Sequence, residues 1–302
     1  MKTIGFDTSN YTTSIAAFDG VDGVNCSRLL PVKPGELGLR QSDAVFSHIK
    51  SLPELSGRLF SDSRNINAVG VSTRPRAVEG SYMPCFMVGY THAKLLSDAL
   101  GVPLFEVSHQ QGHVAACLWS AGRMDLMDKP HLAWHLSGGT TELLLVEPDG
   151  RNVKCTKIGG TTDISAGQLI DRTGVMLDLP FPAGKHIDAL SKEANKTDLF
   201  KVKCTGFVFS LSGVQNKVQQ YAEANTPAEI AAYALRCVCY AVQTATRNAQ
   251  KAYPGLEVVF SGGVASNSML RSVMQDAIFS EPAYSTDNAM GVAVLAHRLM
   301  EG

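Results

Sequence analysis

No stretch of about 18 uncharged apolar residues occurs in the 302-residue chain, so the sequence offers no membrane-spanning helix. None of its seven cysteines forms a CxxC pair. Their number is odd and they sit in apolar runs (Cys117, Cys237, Cys239), which argues against a disulfide framework or a zinc ribbon. Reduced thiols in a cytoplasmic protein are the expectation. The start, Met1 to Asp7, carries an acidic residue where a signal peptide needs its apolar core. An excess of one charge is also missing. Twenty-seven Lys and Arg stand against 28 Asp and Glu, for a net charge of -1. A general electrostatic grip on nucleic acid is thereby excluded, and any RNA contact must be local or assisted by a partner. With 45% hydrophobic residues the chain is well able to bury a core.

Short β-branched runs alternate with helical patterns, which argues an α/β fold. Strands are expected at Thr3-Phe6, Thr12-Phe18, Val24-Leu30, Ala68-Ser72 and Leu104-Val107. Helices are expected at Ser42-Leu52, Pro53-Phe60 and Pro84-Ala99, the last stopped by Gly101 and Pro103. A second set opens with strands at His131-Leu136, Glu142-Glu147 and Val153-Ile158. A capping box with proline at the first helical position, Thr226-Pro227-Ala228-Glu229, starts a long helix. Val258-Phe260 is a strand running into Ser261-Gly262-Gly263 and a further helix. Ser9-Asn10-Tyr11-Thr12-Thr13 and Ser137-Gly138-Gly139-Thr140-Thr141 share a strand–turn–strand context, the mark of a partial duplication. The expected domains are 1–129 and 130–302, with the last helix (about 289–302) packing back on the first.

Three groups of residues carry chemistry. Ser108 and Gln111 form a capping-box pattern, so a helix starts at Ser108 and sets His109 and His113 one turn apart on one face. Two imidazoles at that spacing can share a metal ion. His131 and His135 have the same spacing on a strand, where four residues span about 13 Å, too far for one ion. A third ligand is needed, and Asp287, just ahead of the apolar helix 289–300, is a candidate; a plain helix N-cap is its other reading. The turn Ser137 to Thr141 reads either as an anion nest or as an ordinary hairpin. The run Ser261 to Asn267 reads as a strand-to-helix turn able to take a phosphate. Asp163, Asp171 and Asp188 suit ligand hydroxyls or, equally, a solvated helix face.

In order along the chain, these segments resemble the tRNA threonylcarbamoyladenosine transferase family, the TsaD/Gcp/OSGEP proteins. Gly5-Phe6-Asp7-Thr8-Ser9 matches its opening and His109-Gln110-Gln111-Gly112-His113 its HxxxH. Ser137 to Leu143 resembles SGGHTEL, Ala166 to Arg172 AGEAFDK, Phe181 to Gly184 YPGG and Phe207 to Ser210 FSFS. Gly262 to Asn267 resembles GGVAAN, and Ser285 to Ala289 CTDNAA. The resemblance implies an actin/Hsp70/sugar-kinase-like (ASKHA) fold, two related α/β domains around a central cleft. It implies one divalent ion, iron or zinc, on His109, His113 and Asp287. It further implies a threonylcarbamoyl-AMP site using Ser137, Gly138, Gly139, Thr140, Thr141, Asp171, Gly184, Asp188 and Asn267. The implied reaction moves the threonylcarbamoyl group to N6 of adenosine 37 in tRNAs reading ANN codons, with TsaB-like and TsaE-like partners.

Three departures stand out: Thr140 replaces a histidine, Gln168 replaces a glutamate, and Arg74 to Gly80 stands where a GPGL-like turn is usual. They leave open an altered-substrate or non-catalytic paralogue that binds a nucleotide or adenylate. A metallopeptidase is disfavoured, because the helix has no HExxH glutamate to activate water.

Overall fold

The computed structural model describes residues 1–9, 11–31, 39–60 and 65–302. Contacts divide the chain into two compact units: Met1–Lys129 with Glu147–Cys155 and Asp287–Gly302, and Pro130–Val146 with Thr156–Thr286.

The first unit is built on β1 (Lys2–Asp7), β2 (Thr12–Phe18), β3 (Gly23–Leu29), α1 (Gln41–Phe60), β4 (Ile66–Arg74), α2 (Phe86–Leu100), β5 (Leu104–Ser108) and α3 (His109–Ser120). Its sheet has the order β3-β2-β1-β4-β5, antiparallel across the first three strands and parallel from β1 to β5. Ile4, Phe6, Ile15, Val69 and Val71 pack with Leu52, Leu55 and Leu59 of α1 in its core. The expected break at Pro53 does not occur, and α1 runs through it as one helix. Its apolar face (Ala44, Leu52, Leu55, Leu59) continues on both sides, while Pro53 itself faces solvent, where a lost N–H is replaced by water. Helix α2 closes as its sequence dictates: Gly101 takes φ 67° and returns its N–H to the Asp98 carbonyl.

The second unit is built on β6 (His131–Leu136), β7 (Thr141–Asp149) and β8 (Asn152–Thr161), apart from their residues 147–149 and 152–155, with α4 (Ala166–Met176), α5 (Gly184–Ser191), β9 (Cys204–Thr205), β10 (Val208–Phe209), α6 (Ser212–Ala222), α7 (Pro227–Ala252), β11 (Val258–Ser261), α8 (Ser268–Val273) and β12 (Ile278–Phe279). Strand order is β12-β11-β6-β7-β8-β10-β9. Its core joins Leu132, Trp134, Leu136 and Phe260 to the inner face of α7, and the Trp134 indole N–H donates to Thr246 Oγ1 at 2.8 Å. The capping box at Thr226 and Glu229 forms as its spacing requires.

The two sheets repeat one plan. In each, a strand (β1 or β6) pairs antiparallel with the next strand and parallel with a later one (β4 or β11), which pairs parallel with a further strand. The turn after β1 includes Asn10, which lies outside the described residues.

The last helix, α9 (Met290–Met300), belongs to the first unit. Met290 to His297 are all buried. Small residues let it lie directly on its neighbours: Gly5 of β1 approaches Ala289 O and Ala293 N, and Gly291 lies against the backbone of Gly112 and Ala116 in α3. Those contacts bring the start of α9 beside the start of α3.

Candidate functional site

Helix α3 starts where its capping residues place it. Ser108 Oγ accepts the Gln111 N–H at 3.2 Å, and Gln111 Oε1 accepts the Ser108 N–H at 2.9 Å. His109 and His113 therefore share one face, with Nε2 atoms 2.9 Å apart. Asp287 arrives from the other direction, ahead of α9. Two other side chains satisfy the first donors of that helix: Asn288 Oδ1 accepts the Met290 N–H at 3.0 Å, and Asn25 Oδ1 accepts the Ala289 N–H at 3.1 Å. Asp287 is thus not the N-cap. Its Oδ1 lies 3.5 Å from His109 Nε2 and 3.3 Å from His113 Nε2.

A second carboxylate, one the sequence reading did not assign to this group, lies behind the first ring. Asp7, fully buried at the end of β1, takes the Nδ1 side of His109 at 3.1 Å. It also accepts the hydroxyls of Ser72 and, at 2.6 Å, Ser9. Burial opposes charge on His109, but Asp7 first and Asp287 next override it and push the ring up to about 10. His113 moves the other way, held neutral by burial and by the charge on His109. Burial likewise works against charge on Asp287, yet the two histidines hold it far below the usual carboxylate range.

The donor set suits a cation. Separations of 2.9, 3.3 and 3.5 Å are those of ligands about 2.0–2.2 Å from a common ion. Once a cation displaces the Nε2 proton, the Nδ1–H of His109 would stay on Asp7 and leave Nε2 to the ion, the usual support of a ligating histidine. Among the described residues no other set of three His, Cys, Asp or Glu side chains converges in this way.

The residues expected on a substrate wall all lie in the second unit, and most of their polar side chains are tied to a particular partner. The turn between β6 and β7 closes with the Ser137 N–H on the Thr140 carbonyl at 2.8 Å and the Thr140 N–H on Ser137 Oγ at 3.1 Å. Gly138 and Gly139 are exposed, with open space around them. Thr141 Oγ1 accepts the Ala166 N–H at 2.8 Å, and Ser165 Oγ donates to the Gly138 carbonyl at 2.6 Å, so the turn is pinned to the start of α4. Asp171 Oδ1 accepts the Ala183 N–H at 2.8 Å just ahead of Gly184, and burial pushes its carboxyl up. Asp188 Oδ1 accepts from Asn267 Nδ2 at 2.7 Å and from the Ser268 N–H and hydroxyl at 3.0 and 2.9 Å. The structure thus joins Asp188 to Asn267 and the Ser137–Thr141 turn to α4.

The run after β11 differs from expectation. A 3-10 turn, Gly263–Ser266, comes first, and the following helix α8 has only six residues, capped by Asn267. Gly262, at φ 92°, packs against the Leu136 backbone, where a side chain has no room. That glycine serves close packing of β11 on β6.

Asp163 is a structural anchor. It accepts the hydroxyls of Ser210 and Ser212 and the N–H groups of Leu211 and Ser212, and although burial works against the charge these bonds bring its carboxyl to about 2. A folded-state value below the unfolded one contributes stability above about pH 4 that is lost as pH falls through about 2. The melting difference between the parent and Asp163→Asn should therefore narrow from pH 5 to pH 2. A constant difference would show that the carboxylate charge is not what holds this loop.

A family model described as TsaD, tRNA N6-adenosine threonylcarbamoyltransferase, matches residues 42–294. This chain belongs to that family. It is 35% identical over 248 residues to the tRNA N6-adenosine threonylcarbamoyltransferase of Geobacillus thermodenitrificans, covering 76% of this chain and 69% of that one. To the same enzyme of Carboxydothermus hydrogenoformans it is 33% identical over 252 residues, covering 78% and 72%. Like these relatives, the TsaD-family chain is an acyl-transferring enzyme. Among solved structures it is similar to full-length HypF in its phosphate- and nucleotide-bound form (TM-score 0.64, 15% identity, 100% of this chain, 47% of that one). It is also similar to component A of the (R)-2-hydroxyglutaryl-CoA dehydratase of Acidaminococcus fermentans (TM-score 0.59, 13% identity, 100% of both) and to a ROK family glucokinase of Streptomyces griseus (TM-score 0.55, 10% identity, 99% and 100%). These likenesses show the fold: it is of the ASKHA class, α/β with two sheets.

One departure from the TsaD pattern has a local explanation. Gln168 Oε1 accepts the Ser165 N–H at 3.0 Å while Ser165 Oγ accepts the Gln168 N–H at 3.0 Å, a capping box that glutamine completes as well as glutamate. The charge changes and the helix start is kept. No helix among the described residues is long and apolar enough to cross a membrane.

Proposed function

We propose that this chain transfers the threonylcarbamoyl group of threonylcarbamoyl-AMP to N6 of adenosine 37 in tRNAs reading ANN codons, releasing AMP. The observation that carries the reading is the convergence of His109, His113 and Asp287, backed by Asp7, in a chain of this family. In the reaction the adenosine amine attacks the carbamoyl carbon. A C–N bond forms, the C–O bond to phosphate breaks, AMP leaves with that electron pair, and the amine gives up a proton. His109, His113 and Asp287 would hold a divalent ion, iron or zinc, and the chemistry it would supply there is Lewis-acid polarisation of the donor. Asp7 keeps His109 in its ligating tautomer. The exposed Gly138 and Gly139, with the hydroxyls of Ser137 and Thr140, offer a small polar turn to the adenylate, and Thr141 pins that turn to α4. Asp171 holds the turn that presents Gly184, and the Asp188–Asn267 pair holds the start of α8. TsaB-like and TsaE-like proteins are the proposed partners, and the cytoplasm is the proposed setting, in keeping with seven cysteines that form no disulfide.

Incubating the protein with threonylcarbamoyl-AMP and unmodified tRNA, with and without such partners, should yield modified adenosine and AMP in equal amounts. Tight binding of the adenylate with neither product under any condition would replace this reading by that of a non-catalytic paralogue, the reading that Thr140 favours. A narrower expectation concerns Asp7. Asp7→Asn keeps the volume and removes the charge behind His109. Affinity for zinc, measured by equilibrium dialysis, should fall about 10–100-fold, the usual effect of losing a partner behind a ligating histidine. Unchanged affinity would show that Asp7 serves the fold alone.

A further inference from the structure

The loop between β4 and α2 is fastened at both ends beside His109. At its start, Arg74 pairs in register with Ser108, and the Pro75 carbonyl accepts the Gln110 N–H at 3.1 Å. At its end, the Cys85 carbonyl accepts Thr8 Oγ1 at 2.9 Å, and the ring of Phe86 lies edge-on to that of His109 with centroids 6.2 Å apart. The stretch between stands in solvent and is folded on itself. The Arg76 N–H donates to Ser81 Oγ at 3.0 Å, the Ser81 N–H to the Val78 carbonyl at 3.3 Å, and Gly80 turns the chain at φ 73°.

What this tip presents is unusual for a surface turn. Arg74 and Arg76 are exposed, and Arg74 pairs with no carboxylate among the described residues. Tyr82 is 63% exposed and Val78 57% exposed, against a single carboxylate, Glu79. Guanidinium groups beside an outward aromatic ring are what single-stranded RNA selects: cations for phosphates and a flat face for a splayed-out base. A double helix offers no such base. In a chain of net charge -1 the cations have to be local, and here they flank the candidate centre.

We infer that the Arg74–Met83 loop docks the single-stranded anticodon loop of the acceptor RNA, with Arg74 and Arg76 on its phosphates and Tyr82 stacked on an unpaired base. The inference rests on the reading of tRNA as acceptor and names the surface that takes it.

The test is binding of an unmodified anticodon stem-loop to the full chain over a range of salt, with the same stem lacking its loop as control. Arg74→Gln with Arg76→Gln should lower the salt slope by about 1.4, since each single-strand phosphate contact contributes about 0.7. Tyr82→Ala should weaken binding about tenfold, and Tyr82→Phe should restore it, because the stacking face and not the hydroxyl is used. Zinc affinity and melting temperature should stay at parental values in all of these variants. Parental binding and slope in both loop variants, with RNA still bound, would overturn the docking surface and leave the transferase reading intact. A parent chain that binds no stem-loop, with or without partners, would overturn both. Protection of Tyr82 by a protein partner and not by RNA would also overturn the inference.

Discussion

Replacing Gly291 by alanine is expected to cost about 4 kcal/mol or more and to lower the melting temperature by roughly 10 °C, at 2–4 °C per kcal/mol for a unit of this size. The added Cβ meets the Gly112 carbonyl oxygen and comes within 2.8 Å of Ala116 N, both backbone atoms of α3. Helix α9 cannot retreat, because on another side Gly5 already lies against Ala289 O and Ala293 N. Ordinary overpacking costs about 1–3 kcal/mol because side chains give way, and here none can. The damage should reach the candidate centre as well, since Asp287 precedes Gly291 by about one helical turn. Calorimetry and zinc dialysis on one sample would read both effects. Gly57→Ala is the control. Gly57 lies in α1 with open space around it, and alanine there should raise stability by up to about 1 kcal/mol. Equal melting temperatures for Gly291→Ala and the parent would mean that α3 and α9 are not packed as described.

His113→Ala should abolish stoichiometric zinc or iron binding and lower threonylcarbamoyl transfer by about a hundredfold or more. Losing a partner behind a ligand costs about 10–100-fold in affinity, so losing a ligand itself costs at least the upper value. His113 is buried and its Nε2 lies within 3.3 Å of both other donors, so no neighbouring side chain moves easily into its place. His113→Gln separates cavity from ligation, since it refills most of the volume without restoring the imidazole. Recovery of stability without recovery of metal content is the expected outcome. A His113→Ala protein that keeps its metal and its rate would remove the centre from the mechanism.

Features written within a few residues were legible before any coordinates. The capping boxes at Ser108 and Thr226, the stop at Gly101 and the one-turn spacing of His109 and His113 depend only on local geometry. The class of fold was legible from the ordered motifs. Long-range partners were not. Asp7 and His109 are 102 residues apart, and Asp188 and Asn267 are 79 apart, so no window of sequence contains either pair. The only local hint for Asp7 is a carboxylate closing a strand whose other positions are almost all buried. Proline at position 53 misled because its cost falls on an exposed face, while the buried face of α1 decided the outcome. Nothing in the sequence singles out Gly291, whose use emerges only from the backbone lying across it. In the Ser261 run the sequence marks a glycine turn, but not that Gly262 packs against the Leu136 backbone.

The placement of α9 also bears on how the protein is made. A ribosome delivers the β1–β5 sheet and α3 early, yet the helix that lies on Gly5 and Gly112 is translated only after the second unit. Until then the nascent first unit exposes the apolar faces that Val292, Val294 and Leu295 will cover. Domains usually fold in the order of synthesis, amino-terminal first. This one cannot complete its first core until its last residues are made.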